Sequence, residues 1–401
     1  MKISKIHCSN LKSFDTIDVE MSGFNVIVGM NGSGKSNFIL LLKIAKDILG
    51  GSLAQAISNL GGAERLRNFY LPGENKIIEY GFALDLSGGE VEFLRGENEI
   101  RVTKIDEEFA FRDCDGSFEL SGETLRFDFV IDGHALTLTA VRDADVYKYS
   151  FENPGDEEFF CEVFDDFADF TAAKYRKSDI LLHAFCEKLL QFSLRKSAVA
   201  QISVYEFEQE LLSDFKEFHS MQEDDSSHVI FFRLLYRVLN NEARRNEFYN
   251  LLHYVLPDIE DVKFEGTSDD MKFTVKERFS PRYIDATLLS DGTIFLIVMI
   301  LALYFDDKKI TIFDEPERRI HPHLLSKVID MMKDAADRKQ IILSTHNAEI
   351  VKYSGPKNII LIHRNSRGNS CFTKPGENAE INTFLENDIG LDELFVQNML
   401  K

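Results

Sequence analysis

The stretch Gly29-Met30-Asn31-Gly32-Ser33-Gly34-Lys35-Ser36 decides how this chain folds. It matches G-x-x-x-x-G-K-[ST], a loop whose backbone N–H groups turn inward around phosphate oxygens. Its flanks have the character such a loop needs. Before it, Asn25-Val26-Ile27-Val28 is a short apolar β-branched run of the kind that forms a buried strand. After it, Phe38, Leu41, Leu42, Ala45, Ile48 and Leu49 recur at helical spacing until Gly50-Gly51 stops the helix. Strand, glycine loop and helix in that order set the positive end of a helix dipole against the phosphates. The pattern assigns Gly29, Asn31, Gly32, Ser33, Gly34, Lys35, Ser36 and Asn37 to nucleotide binding. Lys35 neutralises phosphate oxygens and Ser36 holds Mg²⁺.

A second set of residues complements the loop. Ile310-Thr311-Ile312-Phe313 reads as a buried strand that delivers Asp314-Glu315-Pro316-Glu317 at its C-terminal end, where open parallel sheets bind ligands. Asp314 is expected in the Mg²⁺ shell, and Glu315 is expected to orient and deprotonate an attacking water. After an intervening helix (Leu324, Val328, Met331, Ala335), the strand Ile341-Ile342-Leu343 ends at Ser344-Thr345-His346-Asn347. That completes a βαβ unit and puts His346 within reach of a γ-phosphate. Upstream, Leu289-Ser290-Asp291-Gly292-Thr293 starts the all-apolar helix Ile294 to Phe305.

Composition bounds the rest. The 401 residues carry 67 acidic and 46 basic side chains, a formal net charge of −21, which opposes a surface built to grip nucleic acid. Short basic clusters occur at Arg65 with Arg67, Lys174 with Arg176 and Lys177, and Arg244 with Arg245. Cys8, Cys114, Cys161, Cys186 and Cys371 are scattered without a C-x-x-C pair, so we expect free thiols and a cytoplasmic setting. The N-terminus lacks the apolar core of a signal peptide. The longest apolar run, Ile294 to Phe305, is far shorter than the ~20 residues that span a bilayer.

Along the chain, Ile3, Ile6 and Cys8, then Phe14, Ile17 and Val19, predict two strands before the loop. Residues 1–76 are read as the first half of an ATPase core and 77–150 as an antiparallel β-subdomain. In the latter, strands are expected at Glu90–Phe93, Glu99–Thr103, Phe109–Arg112, Leu125–Ile131 and Ala135–Ala140. Phe151 to Phe170 is an acidic, phenylalanine-rich bridge. Residues 151–258 are read as an inserted helical lobe, with Val204, Phe207, Leu211, Phe215 and Phe218 marking one helix and Val229–Val238 and Phe248–Leu256 two more. A hairpin of Val262–Phe264 and Met271–Val275 opens the second half of the core, 259–401.

These motifs in this order resemble the ABC-type ATPase heads of the RecF, SMC and OLD proteins, nearest to the stand-alone AAA-family ATPases found in bacterial anti-phage systems. The resemblance rests on the loop through Asn37, on Leu-Ser-Asp-Gly-Thr, and on Asp-Glu-Pro-Glu with His321-Pro322 beyond it. Ser-Thr-His-Asn and the tail Leu391 to Gln397 add to it. It covers 1–80 and 260–401; the middle corresponds only in layout. It implies an α/β ABC-type P-loop head that hydrolyses ATP with Mg²⁺ and dimerises around nucleotide. Ser290, Asp291 and Gly292 of one copy would then face the phosphate loop of another. Leu-Ser-Asp-Gly-Thr replaces the Leu-Ser-Gly-Gly-Gln of transporters, which argues against a transporter motor, and no glutamine is assigned to a Q-loop. OLD proteins continue into a nuclease domain, which is not expected within this chain. The function implied is a sensor or scaffold ATPase controlling a separately encoded effector such as a nuclease. The alternative is an ATPase of DNA repair or chromosome maintenance.

Overall fold

The computed structural model describes the chain apart from residues 51, 69, 71–76, 89–91, 96–97, 115–116, 144–145, 154, 164–201, 207–226, 268–269, 387–388 and 401. Several expectations lie outside the described residues: the second part of the acidic bridge, the basic cluster at Lys174, and the helix marked by Phe207, Leu211, Phe215 and Phe218. The chain divides into two compact units, Met1–Ser203 with Ile360–Lys374 and Lys401, and Val204–Ile359 with Pro375–Leu400.

The first unit opens with β1 (Lys2–Leu11) and β2 (Phe14–Glu20), which pair antiparallel so that Ile6 meets Val19 and Cys8 meets Ile17 on the buried face. The fully buried β3 (Phe24–Val28) leads into the phosphate loop and α1 (Lys35–Gly50), followed by the short α2 (Leu53–Asn59) and α3 (Ala63–Leu66). α1 buries Phe38, Leu41, Leu42, Ala45, Ile48 and Leu49, the stripe read from the sequence. Each such side chain contributes roughly 1.5–3 kcal/mol when fully buried, with alanine at less. Phe14 packs edge-on against Phe38, and the Tyr80 hydroxyl donates to the Leu41 carbonyl at 2.6 Å.

β4 (Ile77–Asp85) pairs with β1, and an antiparallel series continues through β5 (Glu92–Arg95), β6 (Asn98–Cys114), β7 (Ser117–Ile131), β8 (His134–Asp143) and β9 (Val146–Phe151) to α4 (Asp156–Val163). Two expected strands, Glu99–Thr103 and Phe109–Arg112, are one continuous strand of 17 residues. The pairing register shifts between Val102 and Lys104. That extra residue moves burial from Ile100 and Val102 to Ile105, Glu107, Phe109 and Phe111, so a strict two-residue period breaks although the strand does not.

β10 (Ile202–Glu206) lies where the chain passes from the first unit to the second. Val204, expected in a helix, is in this strand; three of its five residues, Ile202, Val204 and Tyr205, are β-branched or aromatic and favour an extended chain. In the second unit α5 (Ser227–Leu239) and α6 (Glu242–Val255, capped by Asn241) precede a sheet of β11 (Ile259–Thr267), β12 (Asp270–Glu277) and β13 (Tyr283–Asp285). Phe232 of α5 packs edge-on against Phe264 and Phe273 of this sheet. α7 (Asp291–Ile300) is buried on all sides from Ile294 onward and widens into a π turn at Leu301–Phe305, where one uniform helix was expected. The buried Lys339 donates to the Ala302 and Asp306 carbonyls at 2.8 and 2.6 Å, satisfying groups at the end of that turn.

β14 (Ile310–Asp314), α8 (Leu325–Ala335), β15 (Gln340–Thr345) and α9 (Ala348–Ser354) form the expected βαβ unit, its strands parallel with Asp314 opposite Ser344. The chain then re-enters the first unit through β16 (Ile359–Arg364) and β17 (Ser370–Thr373). The strand order there is β3-β16-β17-β2-β1-β4-β6-β7-β8-β9. Among the described residues no helix is long and apolar enough to cross a membrane.

Candidate nucleotide site

The loop residues group in the first unit. Gly32 and Gly34 adopt φ of +75° and +118°, a region that a side chain makes costly. A Cβ on Gly29 would lie 2.5 Å from the Ile362 carbonyl oxygen, and one on Gly34 would collide with Ser370. Lys35 is buried, its Nζ donating to the carbonyls of Gly29 and Met30 at 2.8 and 3.3 Å, so the ammonium is held over the loop. Asn31 and Ser36 are exposed.

A hydroxyl network braces the loop from behind. Ser370 Oγ donates to the Ser33 carbonyl at 2.6 Å and lies 2.8 Å from Ser13 Oγ, which also accepts from Asn37 Nδ2 at 2.8 Å. Ser33 Oγ is buried with no hydrogen-bond partner among the described residues. Arg364 Nε donates to the Gly32 carbonyl at 3.0 Å. No sequence motif marks Ser13, Arg364 or Ser370 for this role. Ser13 and Ser370 are 357 residues apart, so only sheet pairing of β17 with β2 joins them.

The carboxylates and His346 group in the second unit. Asp314 accepts a hydrogen bond from the buried Ser344 hydroxyl, whose oxygen in turn accepts from the Glu315 N–H at 3.1 Å. Glu315 sits at φ 45°, ψ 57°, the left-handed region, immediately before a 3₁₀ turn over Pro316–Arg319. Its Oε1 lies 3.0 Å from His346 Nδ1, and its Oε2 is ion-paired with Arg318. Partial burial pushes the Glu315 carboxyl up, but the His346 hydrogen bond and the Arg318 charge outweigh it and hold its pKa below the ordinary glutamate value.

Glu317 contrasts with it. It is buried, and desolvation pushes its pKa up despite hydrogen bonds from Thr345 Oγ1 at 2.6 Å and the His346 N–H at 3.4 Å. Its Oε2 is buried without a partner among the described residues. Two carboxylates two residues apart are thus driven in opposite directions by their surroundings.

Ser290 caps α7, its Oγ accepting from the Thr293 N–H at 3.1 Å, and Asp291 pairs with Arg319 Nη1 at 3.0 Å. Gly292 is needed for contact: a Cβ would stand 2.8 Å from the Arg319 carbonyl oxygen. The Ser290–Gly292 turn is therefore packed directly on the turn that follows Glu315. Neither Arg318 nor Arg319 belongs to a motif of the sequence; the fold alone brings them to Glu315 and Asp291.

Residues 189–352, under half of the chain, match the AAA_21 family model, described as "AAA domain, putative AbiEii toxin, Type IV TA system". No curated protein matches the sequence. Among solved structures, a SmcHead bound to the C-winged helix domain of ScpA superposes with a TM-score of 0.53 at 13% identity, over 93% of this chain and 97% of that one. An Smc head with an extended coiled coil from Pyrococcus furiosus gives 0.48 at 14% identity, over 96% and 99%. The SMC head domain from Thermotoga maritima gives 0.43 at 14% identity, over 93% and 99%. The fold is that of an SMC head, a mixed α/β architecture with a large sheet.

Proposed function

We propose that this chain binds ATP with Mg²⁺, hydrolyses it, and pairs with a second copy around the nucleotide. The observation that carries this is the phosphate loop itself: left-handed glycines, a lysine held over the loop, and bracing by Ser370, Ser13 and Arg364. Gly29 to Asn37 cradle the β- and γ-phosphates with backbone N–H groups, and Lys35 neutralises their charge. Ser36 and Asp314 offer the hydroxyl and carboxylate oxygens that Mg²⁺ prefers, and the ion would shield the phosphate charge as the γ-phosphoryl group leaves. Glu315, kept ionised by His346 and Arg318, takes a proton from the attacking water. His346 then stands ready to hydrogen-bond the γ-phosphate. Ser290 and the N-terminus of α7 offer a donor set for the γ-phosphate bound by the partner copy.

Nucleotide state then serves as a signal. We read the chain as a cytoplasmic sensor or scaffold ATPase that holds or releases a separately encoded effector in anti-phage defence. The AAA_21 match and the net charge of −21 support this over a DNA-gripping role. The shared fold with a head that binds the winged-helix domain of ScpA fits a protein partner, and also keeps the chromosome-maintenance reading open to test. Titration calorimetry with a non-hydrolysable ATP analogue tests the core of the proposal. Lys35→Ala should abolish binding; undiminished affinity would overturn the assignment of the loop.

A further inference from the structure

We propose that Tyr70 and Arg364 form the platform on which the base of the bound nucleoside triphosphate stacks. The phosphate loop accounts only for phosphates, and inorganic triphosphate would satisfy every group in it. A nucleoside needs a second surface beside the loop. Tyr70 is 59% exposed, and its backbone is anchored.

The anchor is Asn68, which is fully buried. Its Oδ1 accepts from the Tyr70 N–H at 2.8 Å, and its Nδ2 donates to the Phe14 carbonyl at 3.0 Å and to Asn369 Oδ1 at 3.1 Å. Tyr70 is thereby tied to the first residue of β2 and to the residue before β17, the chain neighbours of Ser13 and Ser370, which brace the loop. Arg364 completes the link. Its guanidinium carbon lies 5.4 Å from the Tyr70 ring centre, its Nη1 donates to the Gly368 carbonyl at 2.7 Å, and its Nε donates to the Gly32 carbonyl at 3.0 Å. One planar guanidinium thus links the phosphate loop to the ring. Gly368, at φ +84°, passes close by; a Cβ there would sit 3.7 Å from the ring.

An aromatic ring with a guanidinium beside it is a general stacking surface for nucleobases, tolerant of which base is present. Held in place before ligand arrives, it loses little conformational freedom on binding. The platform rests on the nucleotide reading above, and its test separates the two. The full chain is titrated with a non-hydrolysable ATP analogue and, separately, with inorganic tripolyphosphate. Tyr70→Ala should weaken the nucleotide about 5- to 100-fold and leave tripolyphosphate unchanged, while Tyr70→Phe should keep wild-type affinity for both. Equal weakening of both probes by Tyr70→Ala, or no weakening of either, overturns the platform. A wild-type chain that binds neither probe overturns the nucleotide reading on which it stands.

Discussion

Glu315 occupies a backbone region that costs a non-glycine residue about 1–3 kcal/mol, and such positions cluster where chemistry is done. Replacing Glu315 by Gln should preserve ATP binding and slow phosphate release ~10²-fold or more, because Glu315 is proposed as the base and not as a ligand of Mg²⁺. Steady-state release near the wild-type rate would move the base to Glu317. Glu317 makes a separate, pH-dependent prediction. Its folded pKa lies above the unfolded value, so the native state holds the proton more tightly. Its contribution to stability is fully present below the ordinary glutamate pKa and is lost as pH rises through the folded one. Glu317→Gln, which still accepts from Thr345, should therefore gain in Tm relative to wild type as pH rises from below the ordinary glutamate pKa to alkaline values. A difference that stays flat between those pH values would show that burial does not penalise this carboxylate.

At the scale of elements, two short segments depend on single residues far away in sequence. The phosphate loop keeps its shape because Gly34 lies at φ +118° with Ser370 against it. Gly34→Ala should lower stability by about 1–3 kcal/mol and remove nucleotide binding with it, read by thermal melting and titration. The π turn Leu301–Phe305 depends likewise on Lys339, whose burial pulls its pKa down to about 8. Lys339→Ala leaves the Ala302 and Asp306 carbonyls without their donor and should cost about 1–3 kcal/mol in denaturant unfolding. An unchanged midpoint would mean that water replaces the ammonium.

For the whole molecule, the excess of acidic over basic residues sets the expectation for partners. Duplex DNA should bind weakly at 150 mM salt (a Debye length of ~8 Å), because sequence-independent affinity comes from cations placed along phosphates. Tight, salt-resistant DNA binding would replace the effector-control reading with the chromosome-maintenance one. ATP should drive a dimer that light scattering detects, and Glu315→Gln should make that dimer accumulate. Monomers at saturating ATP in that variant would count against pairing around nucleotide.

The local elements were determined by the sequence alone. The strand of Asn25–Val28, the loop through Ser36, the apolar stripe of α1, and the strands ending in Asp314-Glu315 and Ser344–Asn347 all stood where short-range pattern placed them. In each, the information lies within about one turn or one strand, because burial on one face and glycine at a positive φ are local requirements. Tertiary structure decided what no window of sequence contains. It brought Ser370 and Ser13 behind the loop, set Arg364 between Gly32 and Tyr70, and seated Asp291 on Arg319. It also carried β6 unbroken through the register shift after Val102 and drove the pKa values of Glu315 and Glu317 apart. Those outcomes depend on which surfaces meet when distant segments pair, and on how much water the pairing removes.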